Sequence, residues 1–441
     1  MQIVSFSTWP LRLKNGDSCG WAHAAQQAND HGGPASHLIM FWAMATGIRK
    51  RVSRRPSAKG RLKSREYQVC TRCIMDTTDS NLRFNMDGLC QYCSNFDRSV
   101  LPNWHTDERG QRELDMLSEK IRADGKGRDF DCIIGISGGL DSSYTAYIAK
   151  ERMGLRPLLF HVDGGWNTDQ AVGNIEKLVD GLGLDLFTEV IDWEEMKDLQ
   201  VAILRSQIAH QDIPQDTAFF SGLYKFARKN RIKYVITGGN YSTECCREPE
   251  EWGAYPGIDK TLILDIHSKF GKAPLRTFPI IDVLVSRAYY RYVIGMQVVK
   301  PLNLIPYIKA EAEKKLESLF SWMKFQHKHF ESRFTRFLED YWLPRKFGFD
   351  RRKAHFSSLI VTGQMKKEDA LERIKKTELD EIFLEQEFEY IAKKLGLSVI
   401  ELREIFDAPN KTSADYKSKR FLVNLGVKGV SILGLERRLY K

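Results

Sequence analysis

Between residues 131 and 237 the chain alternates apolar segments with amphipathic ones, and this alternation restricts the fold more than any other feature. The apolar segments have the length of buried strands and span residues 131–136, 155–162, 184–191 and 232–237. The segments between and after them have helical periodicity and span residues 142–152, 169–182, 194–207 and 218–229. Apolar strands separated by helices predict an α/β fold, in which helices cover both faces of a parallel sheet.

Two pairs of cysteines precede the predicted sheet. Cys70 and Cys73 are separated from Cys90 and Cys93 by sixteen residues, which is the spacing of a zinc ribbon. Four thiolates suit a closed, tetrahedral, structural Zn²⁺ site that stabilises a segment with little core of its own. An iron–sulfur cluster and unmetallated thiols are the alternatives to zinc.

Changes of composition divide the chain of 441 residues into five regions. In chain order they are a basic and disordered extension, a zinc ribbon, a helical linker, the α/β domain and a mostly helical C-terminal region: 1–66, 67–100, 101–128, 129–300 and 301–441. Long charged helices are predicted in the last region at 307–339 and 367–395, and a shorter one at 398–406. Ser398 is a candidate N-cap of that shorter helix.

The net charge of +10 is concentrated at the N-terminus. Residues 1–65 contain eleven Lys/Arg and two acidic residues, so the rest of the chain is almost neutral. Strong binding of nucleic acid by the folded part is therefore not predicted. The extension is interpreted as dispensable, with a targeting peptide as the alternative. No apolar run reaches the ~20 residues of a membrane helix, so we expect a cytoplasmic protein without membrane insertion.

The loop after the first apolar segment carries the sharpest chemical signal. It reads Ser137-Gly-Gly-Leu-Asp-Ser-Ser143. Gly138 and Gly139 have no side chains, so backbone N–H groups can approach a pyrophosphate, and the helix that follows adds a partial positive charge. The hydroxyls that can face the same anion belong to Ser137, Ser142 and Ser143. Asp141 would repel phosphate unless Mg²⁺ lies between them, so we predict that it holds that ion. A turn that only caps the helix is the alternative.

This loop is neither a Walker sequence nor a GxGxxG sequence, but it resembles the SGGxDS loop of the PP-loop ATP pyrophosphatases. The resemblance implies that ATP is split into AMP and pyrophosphate, with Ser137 and Asp141 as the catalytic residues of the loop. It also implies that Val162 and Asp163, at the end of the second strand, lie beside the adenine. His161 is interpreted as structural, with a catalytic role as the alternative.

Further segments narrow the resemblance. They read CTRCIMD at 70–76, DGGWNT at 163–168, IPQD at 213–216, TGGNYSTE at 237–244, KFGK at 269–272, ESRFTRF at 331–337 and LPRKFGFDRRKAH at 343–355. Over roughly residues 67–400 they closely resemble the N-acetyl sugar amidotransferases of surface-polysaccharide synthesis, the WbpG/PseA-type family. Such enzymes are expected to adenylate the acetamido oxygen of an N-acetylated sugar or nucleotide sugar and to replace it with ammonia, which gives an acetamidino sugar.

The ammonia needs a source, and none of the cysteines has the setting of a glutaminase nucleophile. The resemblance implies that a HisH-like glutaminase supplies it, together with a HisF-like subunit. Gly238 and Gly239 follow the fourth strand and are assigned to the nucleotide. Candidate sugar-binding residues lie at the same edge of the sheet or in the basic C-terminal segment, and they are Trp166, Asn167, Asp216, Asn240, Glu244 and Lys346. Trp166 could equally be a core residue.

Two other functions fit parts of the pattern. A PP-loop tRNA thiolase also combines a zinc ribbon with this loop, but it needs reactive cysteines nearby. Cys245 and Cys246 are adjacent in sequence, which is poor geometry for a simple thiol relay. A non-catalytic scaffold would explain the ribbon and the helices, although it would not need the intact loop.

Overall fold

The computed structural model describes residues 66–253, 258–422 and 425, without the side chains of residues 287 and 288. They belong to the compact unit Ser64–Lys441. The predicted basic extension at 1–66 lies, apart from Glu66, outside the described residues. Within the described part of the chain, none of the helices combines the length and apolar character that a membrane crossing requires.

Five parallel strands form the sheet at the centre of this unit. They are β1 Cys132–Gly135, β2 Pro157–Asp163, β3 Asp185–Val190, β4 Tyr234–Ile236 and β5 Gln297–Val299. Their order across the sheet is β3-β2-β1-β4-β5. The predicted parallel sheet is confirmed, while β5 was not predicted. The order reverses between β1 and β4, and open sheets of this kind bind ligands at the carboxyl ends of the strands beside such a reversal.

Helices precede, connect and follow the strands. They are α1 Gln91–Asn95, α2 Glu108–Asp124, α3 Leu140–Tyr147, α4 Asp169–Leu182, α5 Trp193–Ser206, α6 Ile213–Lys229, α7 Tyr241–Glu244, α8 Lys260–Phe270, α9 Lys309–Phe320, α10 Arg333–Phe337, α11 Arg352–Val361, α12 Lys367–Arg373, α13 Glu381–Lys394 and α14 Val399–Asp407. The π-helical segments are Phe96–Val100, Ile148–Arg152, Val285–Val293 and Leu338–Phe347. Helix α6 begins five residues before the prediction, because Pro214 is tolerated in a first helical turn.

Helices cover both faces of the sheet, as predicted. Alternate residues of β1 point to opposite faces. Ile133 is buried with Leu199 of α5 and Leu223 of α6 on one face. On the other face, Ile134 is buried with Leu178 of α4 and residues of α3. The sheet is therefore the middle layer of three, and its strand ends are held between two apolar cores.

The predicted helix at 307–339 is wrong in its centre. Helix α9 ends at Phe320, where Ser321 adopts a left-handed conformation with φ 53°, and α10 begins only after Ser332, which caps it. The break lets Trp322 turn into the core beneath the loop at 137–143, which we call the glycine loop. Its indole N–H donates to the Gly138 carbonyl oxygen at 3.1 Å. A continuous helix would have carried this side chain away. The predicted helix at 367–395 is likewise divided, into α12 and α13, whereas the helix predicted at 398–406 is confirmed with its Ser398 cap.

The cysteine segment packs on helix α11. The Ile74 amide donates to the Ser357 hydroxyl at 3.2 Å, and the Lys353 ammonium lies 2.5 Å from the Asp76 carboxylate. Lys353 and Ser357 are four residues apart and share one face of α11. Arg351 and His355 are offset from them by two residues, or about 200° around the helix, so they project from the opposite side. The ribbon therefore packs on the side of α11 that carries Lys353 and Ser357, which we call its back. The opposite side, its front, faces the site described next.

Candidate functional site

The glycine loop, residues 137–143, lies at the carboxyl end of β1, and its backbone requires glycine at position 138. Gly138 has φ +80°, and a Cβ atom there would lie 2.4 Å from the Ala171 carbonyl oxygen. A Cβ atom on Gly238, after β4, would lie 2.7 Å from the backbone carbonyl of Asp141. The ends of β1 and β4 thus approach each other at backbone distance, which brings the two predicted glycine segments into one site.

A cavity of about 770 Å³ opens over these strand ends. Most of the predicted site residues line it, namely Ser137, Gly139, Asp141, Ser142, Val162, Trp166, Asn167, Asp216, Gly238, Gly239 and Glu244. Asp163 lines a separate, smaller depression instead. Ser143 is fully buried and does not line the cavity. Gly138 does not line it either, and its carbonyl oxygen accepts hydrogen bonds from the Asn174 amide and the Trp322 indole. A volume of this size suits a nucleotide-sized ligand.

The Asp141 carboxylate is held by three donors. Its Oδ1 accepts hydrogen bonds from the Tyr307 hydroxyl at 2.5 Å and from the Asn240 amide at 3.3 Å. Its Oδ2 lies 2.9 Å from the Lys328 ammonium. Burial acts to raise the pKa of Asp141, but Lys328 and Tyr307 outweigh it and hold that pKa below its ordinary value. The group is therefore an anion whose position is fixed. Asn240, which also caps α7, acts here by positioning Asp141.

Lys328 is a central residue that the sequence analysis missed. Its ammonium also lies 2.6 Å from the Glu244 carboxylate, so it bridges the segments after β1 and β4. Burial acts to lower the pKa of Lys328, but these two carboxylates outweigh it and keep the side chain charged. Two further ammonium groups, those of Lys300 and Lys309, line the same cavity. Three lysines at the mouth of a glycine loop can compensate the charge of a polyphosphate.

A carboxylate also faces the loop from the 321–332 segment. The Ser137 hydroxyl donates to Glu331 Oε1 at 3.2 Å, and a Cβ atom on Gly139 would lie 2.8 Å from that same oxygen. Together with Asp141 and Glu244, Glu331 gives this end of the cavity three carboxylates of the kind that bind Mg²⁺. Oxygens of these three carboxylates do not all lie within 4.8 Å of one another, so the magnesium ion stays a prediction.

The other end of the cavity contains a buried network around Arg351. The Arg351 guanidinium lies 3.1 Å from Glu248 and 3.4 Å from Glu339. His329 contacts the same Glu339 carboxylate at 2.9 Å. Burial acts to raise the pKa of Glu339, but His329 and Arg351 lower it to about 2. Burial acts to lower the pKa of His329, yet Glu339 raises it to about 9, so His329 is charged at neutral pH.

The His329–Glu339 pair predicts a pH-dependent stability. Because the pKa of His329 is raised from an unfolded value of about 6.5, its contribution is complete below pH 6.5 and is lost as the pH rises through about 9. A His329→Gln variant should therefore melt a few degrees below the wild-type protein at pH 6, and this difference should shrink by pH 9.5. The groups that face His329 are Glu339, Lys328 and Glu331.

Scanning fluorimetry between pH 5.5 and 9.5 measures the difference in melting temperature. His105→Gln, outside the cavity, is the control, and a pH-independent difference would contradict the assignment.

The aromatic and amide residues after β2 have structural partners as well as cavity positions. Trp166 is 1% exposed and packs against Trp193 and Phe334, with ring centroids 5.4 and 5.1 Å apart. The Asn167 amide lies 3.1 Å from His161 Nε2, and His161 Nδ1 donates to the Ile136 carbonyl oxygen at 3.0 Å. Because burial lowers the pKa of His161, the ring is neutral. Trp166 is therefore a core residue that also borders the cavity. His161 is buried and bonded to the backbone, and it borders the same cavity.

Lys346 is not brought to the cavity, which corrects its assignment to the sugar. Its ammonium donates to the carbonyl oxygens of Phe406 at 2.6 Å and Ala408 at 2.7 Å, at the end of α14. A lysine at this position satisfies carbonyl groups that lack helical partners. Asp216 does line the cavity and lies 3.1 Å from His210.

The four predicted zinc ligands converge. Their sulfur atoms all lie within 4.8 Å of one another, with Cys73 and Cys90 3.6 Å apart and Cys70 and Cys93 3.9 Å apart. A tetrahedral site with Zn–S bonds of about 2.3 Å separates its sulfurs by about 3.8 Å. The Cys90 amide also donates to the Cys70 sulfur at 3.2 Å. The arrangement fits a closed zinc site, and no other set of three or more such ligands lies this close within the described residues.

Comparisons with known proteins match different parts of the chain. Residues 331–428 match the family described as LPS biosynthesis protein WbpG-like, C-terminal domain. Over 94 residues the chain is 34% identical to a GMP synthase (glutamine-hydrolyzing) of Aeropyrum pernix, which covers 20% of this chain and 18% of that protein. The chain therefore spans about a fifth of the curated relative that it matches.

Two solved structures are also similar. An NH3-dependent NAD synthetase from Campylobacter jejuni is 18% identical, with a TM-score of 0.24, and the match covers 30% of this chain and 58% of that chain. An NMN synthetase from Francisella tularensis is 17% identical, with a TM-score of 0.25, and the match covers 48% of this chain and 93% of that chain.

The family match includes the residues that close the cavity from the C-terminal side. Glu331, Arg351 and His355 line the cavity and lie within residues 331–428. These are also the segments ESRFTRF and LPRKFGFDRRKAH, on which the resemblance was based. The resemblance predicted from the sequence is thus confirmed for residues 331–428, which match the WbpG-like C-terminal domain.

Proposed function

We propose that the chain is an ATP-dependent amidotransferase that acts on an N-acetylated sugar or nucleotide sugar and forms AMP and pyrophosphate. The observation that carries the proposal is the glycine loop, whose Asp141 pairs with Lys328 at one end of a cavity of about 770 Å³. The volume leaves room for a second substrate beside the nucleotide. The WbpG-like C-terminal domain supports a place in lipopolysaccharide or O-antigen synthesis.

The proposed reaction starts from a poor electrophile. The nitrogen of an acetamido group donates electrons into the carbonyl. The carbonyl oxygen therefore first attacks the α-phosphorus of ATP, and the bond from that phosphorus to pyrophosphate breaks. Backbone N–H groups of the loop, together with the ammonium groups of Lys300, Lys309 and Lys328, stabilise the negative charge that develops on the departing pyrophosphate. Asp141, Glu244 and Glu331 would hold the Mg²⁺ ion, which neutralises phosphate charge when bound. Ammonia then attacks the activated carbon and displaces AMP.

The source of ammonia is proposed to be a separate glutaminase of the HisH type, with a HisF-like subunit. Cys132 is fully buried in β1 and cannot serve as a nucleophile for glutamine. The four ribbon thiols are fully buried as well, and Cys245 and Cys246 pack beside the ribbon. The cysteines of the described chain therefore have no glutaminase role, which supports supply from outside.

The thiolase alternative loses support for the same reason. A thiolase of the kind considered above needs reactive thiols near the bound nucleotide, and no cysteine of the described residues lines the cavity. The amidotransferase needs no thiol. It is therefore the function that the site supports better.

The products of ATP hydrolysis test the proposal. The purified chain, given Mg²⁺-ATP, ammonium chloride and a UDP-N-acetylated sugar, should form AMP and pyrophosphate in equal amounts together with an acetamidino product. Ion-pair chromatography and mass spectrometry measure them, and a panel of sugars identifies the acceptor. Glutamine in place of ammonium should give no product without a partner protein. Formation of ADP and phosphate would contradict the proposal, as would efficient use of glutamine by the chain alone.

A further inference from the structure

The carbonyl group of Gly138 is oriented by two buried side chains. The Asn174 amide donates to the Gly138 carbonyl oxygen at 3.2 Å, and the Trp322 indole N–H donates to it at 3.1 Å. Both side chains are buried. No backbone N–H group of the described residues donates to this oxygen. Because buried carbonyl oxygens need a donor, the direction of this carbonyl group depends on Asn174 and Trp322.

The peptide bond between Gly138 and Gly139 carries an N–H group on the opposite side. This bond is trans, and in a trans peptide the carbonyl and N–H groups point in opposite directions. Gly139 lines the cavity, and its N–H group lies 3.3 Å from the hydroxyl of Ser137, which lines the cavity as well. A carbonyl group held from behind therefore directs the Gly139 N–H group to the space where pyrophosphate is proposed to bind.

Two consecutive glycines do not fix this orientation by themselves. Gly138 has φ +80°, in a region that glycine enters freely, and neither residue has a Cβ atom that would resist rotation of the peptide between them. A half-turn of this peptide would direct the carbonyl oxygen into the cavity and the N–H group away from it. An acceptor would then face the anion where a donor is needed.

Helix α4 places Asn174 between the glycine loop and the 321–332 segment. A Cβ atom on Gly138 would lie 2.4 Å from the Ala171 carbonyl oxygen, so the first turn of α4 contacts the loop. Asn174 follows three residues later on the same face of the helix. Its amide also donates to the Met323 carbonyl oxygen at 2.8 Å, and its side-chain oxygen accepts from the Met323 N–H group at 2.7 Å. The nitrogen and the oxygen of this side chain are thus both engaged, so its direction is fixed.

We propose that Asn174, together with Trp322, is a positioning residue of the adenylation step, because it holds the Gly138–Gly139 peptide with its N–H group toward the pyrophosphate. The inference rests on the proposed function, in which the glycine loop is the pyrophosphate site. Pyrophosphate gains negative charge as it departs, and a donor that is already directed at it stabilises this charge without first having to rotate. Asn174 does not line the cavity, so it acts through the peptide.

An Asn174→Leu variant tests the assignment. Leucine has nearly the shape of asparagine but donates no hydrogen bond, so the peptide is released. The dissociation constant of magnesium pyrophosphate should rise about tenfold or more, which is typical of losing a hydrogen bond to a charged group. The dissociation constant of AMP should change less than twofold, since the loop is proposed to hold only the pyrophosphate. Isothermal titration calorimetry measures both. An unchanged constant for pyrophosphate, or an equal loss for both ligands, would overturn the inference.

The control variant is Gln170→Met. Gln170 lies one turn before Asn174 on α4, and its amide donates to the carbonyl oxygens of Met323 at 3.1 Å and Lys324 at 3.0 Å, but not to Gly138. Its binding of magnesium pyrophosphate should match the wild-type protein. A defect as large as that of Asn174→Leu would assign the effect to the 321–332 segment instead of the peptide, and the inference would fail.

Two further measurements with magnesium pyrophosphate separate this inference from the proposed function. A Trp322→Phe variant removes the other donor to Gly138, so it should bind the ligand more weakly than the wild-type protein. If the wild-type protein binds no magnesium pyrophosphate, the proposed function and the inference both fail. If the wild-type protein binds it and Asn174→Leu and Trp322→Phe bind it equally well, only the inference fails.

A crystal of the wild-type protein removes the dependence on a folded variant. After a soak in magnesium pyrophosphate, a phosphate oxygen should lie within about 3.2 Å of the Gly139 nitrogen. The Gly138 carbonyl oxygen should still accept hydrogen bonds from Asn174 and Trp322. A Gly138 carbonyl group turned toward the anion, or an anion remote from Gly139, would overturn the inference.

Discussion

An Asp141→Asn variant is expected to release pyrophosphate about 10²–10³-fold more slowly than the wild-type protein, which is the usual size of such losses. The amide keeps the shape and the hydrogen bond from Tyr307, but it removes the charge that holds the Lys328 ammonium 2.9 Å away. Lys328 is then held by Glu244 alone, and the proposed magnesium ion loses a ligand. A coupled assay for pyrophosphate, with saturating ATP, acceptor sugar and ammonium, measures the change.

The matched control for this variant is Asp169→Asn. Asp169 begins α4 after β2, much as Asp141 lies in the first turn of α3 after β1, but it is exposed and does not line the cavity. We expect it to keep its activity within a factor of two. If Asp141→Asn retained more than a tenth of the wild-type rate, the loop would not be the place where charge develops, and the proposed adenylation would have to be abandoned.

A Cys90→Ser variant is expected to lose bound zinc and to melt about 5 °C or more below the wild-type protein. Structural zinc contributes much of the folding energy of such small segments, about 10–16 kcal/mol in isolated peptides. Each kcal/mol lowers the melting temperature of a domain of 150–250 residues by about 2–4 °C. Activity should fall as well, because the ribbon holds Lys353 and Ser357 on the back of α11 while Arg351 and His355 on its front border the cavity.

The control for this variant is Cys245→Ser. This residue packs near the ribbon but is not one of the four converging thiols. Elemental analysis should find one zinc ion per chain in this control and in the wild-type protein, and none in Cys90→Ser. Zinc retained by Cys90→Ser at full stoichiometry would contradict a four-thiolate site. Iron in the wild-type protein would favour the iron–sulfur alternative.

Features encoded in short stretches of sequence were predictable. The glycine loop is contiguous, and its meaning depends only on the strand before it and the helix after it. The four cysteines have a spacing with few physical interpretations, and their sulfurs do converge. Four of the five strands were found because each is an apolar run with helical sequence on either side. Their parallel pairing follows from that alternation.

The residues that were missed depend on tertiary structure. Lys328 and His329 lie in a stretch whose charged periodicity resembles a helix, and nothing local indicates that the backbone breaks at Ser321. Lys346 was wrongly assigned to the sugar, because the sequence around a lysine does not show which carbonyl oxygens its ammonium group contacts in the fold.

Loops usually tolerate insertions and deletions, but the segment between Ser321 and Ser332 should not. Lys328 and His329 are consecutive, with Cα atoms about 3.8 Å apart. Nevertheless, Lys328 pairs with Asp141, whereas His329 pairs with Glu339. The left-handed conformation of His329, with φ 66°, turns the chain between them. One extra residue here would move at least one of these side chains off its partner. Among proteins of this kind, length variation should therefore be confined to other loops, and the spacing from Trp322 to Ser332 should be constant.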